Sequence, residues 1–270
     1  MATTICVGDL HLKHTRVLPR LDSEVQLHEV ERVVFLGDAC DDWQLSDDAA
    51  LDELLYFKAW VQARRKQGLQ VDVLAGNHEM PYLMDMIGPG THVPIRGLVK
   101  QILCDLDLKC ATVVSGHLCT HAGITRVWQA AYVQNAQTAD ELCATLNGYF
   151  ADPDKWERLL TIGPGRGGGD VPGPLWTDKH ELLRFPMPGV NQIVGHTPVR
   201  WLSRESVAGE AQVWFCDTFS VTPYGWPQGE ASALMLEEAA DGKLEPTIAI
   251  LFGDDEWSNL MRARMQPAQS

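Results

Sequence analysis

The sequence predicts an α/β protein, and three observations carry that prediction. Two short β-branched runs, Thr3–Val7 and Arg32–Leu36, each stop at Gly-Asp. A third, Val71–Leu74, runs through Ala75 into Gly76-Asn77-His78-Glu79. Between the second and third lies a stretch with helical spacing. Short apolar runs that end at glycine read as buried strands feeding loops. Strand, helix, strand in alternation builds a sheet whose loops collect at one edge, which is where chemistry is expected.

The elements follow in order. The helix over 47–67 places Leu51, Leu54, Leu55 and Val61 near helical spacing with Trp60 adjacent, Ser46 as N-cap and Gly68 just past its end. The middle of the chain is more helical, with helices predicted over Ile124–Gln134 and Thr138–Phe150 and a short one over Asp154–Leu160. Residues 163–174 are too rich in glycine and proline for regular structure. Strand-like runs resume after them at Gln192–Val194 and Gln212–Phe215, so this segment reads as a loop over a site and not as a domain boundary. Further strands are expected between Ser232 and Phe252. Residues 1–255 form one predicted domain, and residues 256–270 a frayed tail.

Composition bounds the function. The 270 residues carry 22 Lys+Arg against 36 Asp+Glu, a formal charge of −14. A surface this acidic argues against nucleic acid or an anionic membrane as partner, since both require basic side chains to replace counterions. With 45% hydrophobic residues the chain can bury a substantial core, which excludes disorder and fibrous structure for its bulk. The first residues lack a basic, apolar leader, and no run approaches the roughly 20 apolar residues of a membrane span. The seven cysteines are scattered and form no C-x-x-C pair. They read as reduced thiols, and the expected location is the cytoplasm.

The candidate chemistry lies in five loops: Asp9-Leu10-His11, Gly37-Asp38-Ala39-Cys40-Asp41, Gly76-Asn77-His78-Glu79, Thr120-His121-Ala122-Gly123 and Gly195-His196-Thr197-Pro198. Alone, a Gly-Asp after a strand is an ordinary turn, and a lone histidine is an ordinary hydrogen-bonded core residue. Five such loops in one α/β chain point to a shared site. Asp9 and His11, at i and i+2, can turn toward one ion. Mixed carboxylate, imidazole and amide-oxygen donors suit Mn, Fe or Zn. A carboxylate bridging two ions about 3.5–4 Å apart would make a hydrolytic centre.

This ordered set resembles the calcineurin-like metallophosphoesterase superfamily. The Asn77-His78-Glu79 and His121-Ala122-Gly123 forms resemble its phosphoprotein phosphatase branch, which includes diadenosine tetraphosphatases. Leu175-Trp176-Thr177-Asp178 and Asp217-Thr218 resemble later segments of the same branch. The resemblance implies a four-layer sandwich of two mixed sheets flanked by helices, and two divalent ions, Mn first and Fe or Zn as alternatives. It implies that Asp9, His11 and Asp38 hold one ion, and that Asp38, Asn77, His121 and His196 hold the other. Asn77 would also touch substrate, His78 would be the general acid, and Asp41 would orient it. The implied reaction is hydrolysis of a phosphate monoester, on a phosphoprotein or a small molecule, by a hydroxide bridging the two ions. A dinucleoside polyphosphate hydrolase is the alternative, and a non-catalytic scaffold is disfavoured because every ligand position is filled.

The chain departs from that branch at two points. Arginines that clamp substrate phosphate would follow Asp41 and precede Gly76, but the residues there are Asp42 and Ala75. Arg166, in the glycine-rich segment, is the leading replacement; Arg126, Arg184 and Arg200 are weaker ones. Trp43, just past the second motif, could stack on a nucleobase or a tyrosyl ring. The remaining tryptophans, Trp176 among them, read as core packing. His14, His28, His92, His117 and His180 read as surface or core residues.

Overall fold

Alternation along the first strand sets up the layers. In β1 (Thr3–Val7), Ile5 and Val7 face one side and Cys6 the other, as the two-residue period of a strand requires. The structure, a computed structural model, describes residues 2–207, 211–222, 224–238 and 244–264. β1 pairs in parallel with β2 (Arg32–Phe35), and β2 with β3 (Gln70–Val73). The crossovers are helices α1 (His14–Leu27) and α2 (Asp47–Lys66). On the other side of β1 run β9 (Ser232–Glu238) and β10 (Leu244–Ile250), both in antiparallel pairings, giving the order β10-β9-β1-β2-β3.

The second sheet has the order β4-β5-β6-β8-β7. Its strands are β4 (Ala111–Val114), β5 (His117–Thr120), β6 (Gln192–Val194), β7 (Ser203–Ser206) and β8 (Gln212–Phe215). β5, β6 and β8 are parallel, while β4 and β7 are antiparallel edges. Cys6, Val34 and Leu234 from the first sheet meet Val114, Cys119, Ile193 and Trp214 from the second in one buried cluster. After the one-turn α3 (Met80–Leu83), the outer face of the first sheet is covered by α1, α2, α4 (Arg96–Asp105) and α9 (Asp254–Arg264), through Leu18, Phe57, Leu103 and Trp257. The second is covered by α5 (Arg126–Tyr132), α6 (Ala139–Phe150) and α7 (Trp156–Leu159), through Trp128, Leu146 and Leu159. Leu182 of α8 (Lys179–Arg184) adds to that layer over Val194 and Phe215. The expected four layers, helix, sheet, sheet, helix, are present. Among the described residues, no helix is long and apolar enough to cross a membrane.

Local chemistry explains the agreements and the misses. Ser46 caps α2 by accepting from the Ala49 N–H, and Gly68 takes φ +96° just past its end. The helix predicted from Ile124 begins instead after Thr125, whose hydroxyl accepts from Trp128 N–H. The short helix expected over 154–160 is divided into a 3₁₀ turn, Pro153–Lys155, and α7, because Asp152 caps the turn first. α1 was not predicted: Pro19 sits inside it, while Val17, Leu18 and Leu21 bury a single stripe. The expected tail needs correction. α9 occupies its first part, and Trp257 and Met261, four residues apart, insert into the core; residues 265–270 lie outside the described residues.

One buried charge ties the two sheets together. Asp72 of β3, 2% exposed, accepts from Arg32 Nε at 2.9 Å and from Lys109 Nζ at 2.6 Å. Arg32 also donates to the Val113 carbonyl at 2.8 Å, so β2 and β3 are linked to β4. Burial pushes the Asp72 carboxyl up, but hydrogen bonds from Lys109 and Arg32 outweigh it and hold it below the usual range. A depressed folded-state pKa stabilises above the unfolded value of about 3.9, and that stabilisation is lost as pH falls through the folded value. Asp72→Asn should therefore destabilise the protein by about 3 kcal/mol at neutral pH, leaving Arg32 half-buried and unpaired. In urea unfolding, the gap from wild type should close as pH falls below 4 or so.

Candidate metal centre

The six parallel strands, β1, β2, β3, β5, β6 and β8, point their C-terminal ends at one rim. The loops that follow carry Asp9, Asp38, Asn77, His121, His196 and Asp217 respectively. Close backbone approach explains the glycines. A Cβ on Gly76 would lie 2.2 Å from Asp38 Oδ1, and one on Gly195 would lie 2.1 Å from Asp9 Oδ1. Five non-glycine residues of these loops, His11, Leu12, Asp38, Asp41 and His196, hold φ between 42° and 66°. Such left-handed conformations are costly for side chains and collect at functional sites.

Asp38 is the point of convergence. His121 Nδ1 donates to the Leu36 carbonyl at 2.9 Å, which turns its Nε2 inward. That Nε2 lies 2.9 Å from Asn77 Oδ1, 3.0 Å from His196 Nδ1 and 3.4 Å from Asp38 Oδ2. On the other side, His11 Nδ1 faces the carbonyls of Cys40 and Asp41 at 3.0 and 3.1 Å, which turns its Nε2 toward Asp38 Oδ2 at 3.8 Å. Acceptors this close repel unless a cation stands between them. His196 Nε2 is buried with no hydrogen-bond partner. The donor set, carboxylate with imidazole and amide oxygen, suits divalent Mn, Fe or Zn. These residues fit metal ions.

The electrostatics agree. Burial pushes His11 down to about 4 and His196 well below its ordinary value, so both rings are neutral and keep a lone pair to offer. Burial pushes Asp9 well up, helped by the charges of Asp217 and Asp38. Asp38 lies well below its ordinary range, because the nearby His121 and His78 outweigh its burial. For His121, burial acts downward but Asp38 pulls it up, so a proton competes with metal for that position.

Asp9 differs from its expected place. Both of its carboxylate oxygens accept from the His196 N–H at 3.0 Å. Among the described residues, the group whose ligand atoms lie within 4.8 Å of one another around His11 and Asp38 contains His78 and not Asp9. His78 nevertheless has the character of an acid. Its Nδ1 is 2.9 Å from Asp41 Oδ2, and its N–H donates to Asp38 Oδ1 at 3.0 Å. Burial acts to lower it, but Asp38 and Asp41 outweigh burial and raise it to about 9. A protonated imidazole has no lone pair for a metal, and it has a proton to give.

A cleft of about 370 Å³ opens beside this centre, bordered by His11, His78, His196, Trp43, Trp176 and Arg166. The Trp43 ring meets His78 edge-on at 5.6 Å and is 59% exposed. Trp176, read from sequence as core packing, flanks the far side, 5.7 Å from His196. Arg166 borders the cleft, held by Thr197 Oγ1 at 2.9 Å and by Asp178 at 3.3 Å. The other arginines lie elsewhere: Arg126 and Arg184 cover the Phe185 ring and Arg200 covers Trp201. Asp42 borders the cleft and accepts from Gln44 N–H, while Ala75 is fully buried.

Two residues carry roles that sequence reading missed. Glu79 accepts from the N–H groups of Asp38, Cys40 and Gly76 at 2.9, 2.9 and 2.6 Å. Tyr82, three residues on, donates its hydroxyl to Asp41 Oδ1 at 2.5 Å. Burial and the Asp41 charge hold that hydroxyl far above its ordinary pKa, so it remains a donor. Only the Glu79 position in the Asn-His-Glu motif hinted at the first, and no signal marked the second. Tyr82→Phe should leave Asp41 short of a buried partner and destabilise the metal-free protein by about 1–2 kcal/mol in urea unfolding.

No family model and no curated protein matches the chain. Solved structures do. One is a cold-active protein-tyrosine phosphatase of a psychrophilic Shewanella species, 19% identical, with a TM-score of 0.54 over 91% of this chain and 80% of that one. Another structure of a cold-active protein tyrosine phosphatase is 17% identical, with a TM-score of 0.56 over 94% and 81% of the two chains. At such identities the likeness is one of fold, and this chain shares with those phosphatases the α/β architecture of two mixed five-stranded sheets flanked by helices.

Proposed function

We propose that the protein is a metal-dependent phosphoesterase that hydrolyses phosphate monoesters, on a phosphoprotein or a small molecule. The observation that carries this reading is the convergence of Asn77 Oδ1 and Asp38 Oδ2 on His121 Nε2, at 2.9 and 3.4 Å, beside a histidine held as an acid. Asp9, His11 and Asp38 would hold one ion, with Asp9 turning from the His196 N–H. Asp38, Asn77, His121 and His196 would hold the second. Manganese is the first choice, with iron or zinc as alternatives for the same donors. What two divalent ions would supply there is a water acidic enough to attack phosphorus near neutral pH, and positive charge for the phosphoryl oxygens.

The chain's own groups do the rest. Arg166, fixed by Thr197 and Asp178, binds a phosphoryl oxygen from the His196 side. Asn77, at the cleft wall, contacts the same group. His78 gives its proton to the departing ester oxygen, and Asp41, itself held by Tyr82, keeps the ring aimed. The leaving group therefore lies near Trp43, whose ring offers a stacking surface to a tyrosyl or other aryl group. The Shewanella neighbour is named a protein-tyrosine phosphatase, in keeping with that placement. The seven free thiols suit a reducing cytoplasm, and the acidic charge suits neither nucleic acid nor an anionic membrane as partner.

A substrate panel with manganese tests the reading. Phosphotyrosyl peptide, p-nitrophenyl phosphate and its bis-ester, and diadenosine tetraphosphate should show monoesters hydrolysed fastest. Faster turnover of the tetraphosphate would reassign the enzyme to dinucleoside polyphosphates. His78→Ala should lower kcat on phosphotyrosyl peptide by about 10²–10⁴ with manganese content intact. The loss should be much smaller on p-nitrophenyl phosphate, whose leaving group scarcely needs a proton. Arg166→Ala should raise KM about 10-fold for every monoester, as a charge-assisted bond is lost.

A further inference from the structure

Hydrogen bonds lead outward from the acid in an unbroken chain. His78 Nδ1 meets Asp41 Oδ2 at 2.9 Å, and the other Asp41 oxygen takes the Tyr82 hydroxyl. That hydroxyl has a second partner, since it accepts the His92 N–H at 2.8 Å. The His92 ring in turn places Nδ1 2.8 Å from Asp47 Oδ1, in the first turn of α2. An ionised carboxylate only accepts, so Nδ1 carries the proton of that bond. Asp47, His92, Tyr82, Asp41 and His78 thus run from α2 to the cleft, through links between residues 10 to 45 positions apart in sequence.

The inner part of this chain is dry. Asp41, Tyr82 and His92 are 1, 2 and 9% exposed, whereas the Asp47 side chain is 37% exposed. Where water does not reach, the direction of a hydroxyl is set by its bonded partners. The Tyr82 oxygen is fixed by the proton it gives to Asp41 and by the His92 N–H it takes. Moving His92 therefore moves the hydroxyl that holds Asp41. The segment 88–92 is shaped for this approach. Gly90 has φ +82°, and a Cβ there would crowd Asp41 Cβ at 3.1 Å and Trp43 Cε2 at 3.3 Å. Gly88 N–H closes the turn on Thr91 Oγ1 at 2.9 Å, and Pro89 borders the cleft. His92 stands at the start of a 3₁₀ turn, Val93–Ile95, yet its side chain makes no capping bond there. The ring serves the link to α2 and not the turn it precedes.

We propose that His92 is a positioning residue for the general acid: anchored to α2 through Asp47, it holds the Tyr82 hydroxyl on Asp41 and so keeps the His78 ring aimed at the departing oxygen. This rests on the phosphoesterase reading above, and it deepens that reading on the leaving-group side. The demand on His92 rises with the basicity of the leaving oxygen, because only a poor leaving group needs the proton that His78 gives.

The test measures kcat and KM with manganese on phosphotyrosyl peptide, whose leaving oxygen needs a proton, and on p-nitrophenyl phosphate, whose leaving oxygen scarcely does. Both are aryl esters, so a disturbance at Trp43 acts on both, and the ratio of the two kcat values isolates the acid. His92→Ala should lower kcat on the peptide about 10-fold, as when one hydrogen bond to a charged group is lost, with KM and the p-nitrophenyl rate within about 2-fold of wild type. His92→Asn, whose amide N–H falls near the place of Nδ1, should restore the wild-type ratio. In a Tyr82→Phe background, adding His92→Ala should change the ratio by less than about 2-fold, because its effect passes through the hydroxyl. An unchanged ratio in His92→Ala would overturn the proposal, equal losses on both esters included. An undiminished effect in the Tyr82→Phe background, or a His92→Asn no better than His92→Ala, would overturn it too. Should His92→Ala fail to fold, Asp47→Ala, changed at the solvent end of the chain, decides by the same ratio. A wild type inert towards every monoester would end the phosphoesterase reading and the proposal together, whereas an active wild type with an unchanged ratio in the variants ends the proposal alone.

Discussion

Glu79 is the constraint on which the centre depends. Its carboxylate, 1% exposed, takes three backbone N–H groups from two separate loops, those of Asp38 and Cys40 after β2 and that of Gly76 after β3. Hydrogen bonds to a charged acceptor contribute about 1.5–3 kcal/mol each, enough to offset left-handed backbone at Asp38 and Asp41. With those loops tied, Asp38 stands between the two histidine groups and Asp41 stands under His78. The strand-end rim becomes a shaped cavity in place of a set of independent turns.

The rest of the molecule supports that knot. Parallel β1, β2 and β3 present their ends together because α1 and α2 return the chain across the same face. The second sheet contributes His121, His196 and Asp217 from the ends of its own parallel strands. The Cys6, Val34 and Ile193 layer then sets how near the two rims approach. At the opposite side of the sandwich the Arg32–Asp72–Lys109 cluster fixes the lateral register of the sheets. A shift of even one residue in either sheet would separate His121 Nε2 from Asp38.

Much of this was legible. The alternation of β-branched runs with one amphipathic stretch sufficed for the fold class, and the strand-end glycines marked the places where backbone or carboxylate comes too close for a Cβ. Ser46 announced a helix start by chemistry that acts over three residues. Legibility failed where the cause was distant. α1 hides behind Pro19, and α9 depends on core space for Trp257 and Met261 that only the folded sheet creates. Trp176 packs against the second core as read, but nothing local shows that its ring also faces His196.

By itself the sequence determined the fold class, the identities of the candidate ligands and the order in which strands deliver them. These follow from periodicity and from side-chain chemistry, both local properties of the chain. Only the tertiary structure decided that Asp9 turns to the His196 N–H, that Tyr82 holds Asp41 and Glu79 the loops, and that Arg166 borders the cleft. Each is a contact between residues far apart in the chain or a choice of side-chain direction. Such contacts are set by how two sheets and their loops close on one another, and no local pattern encodes that.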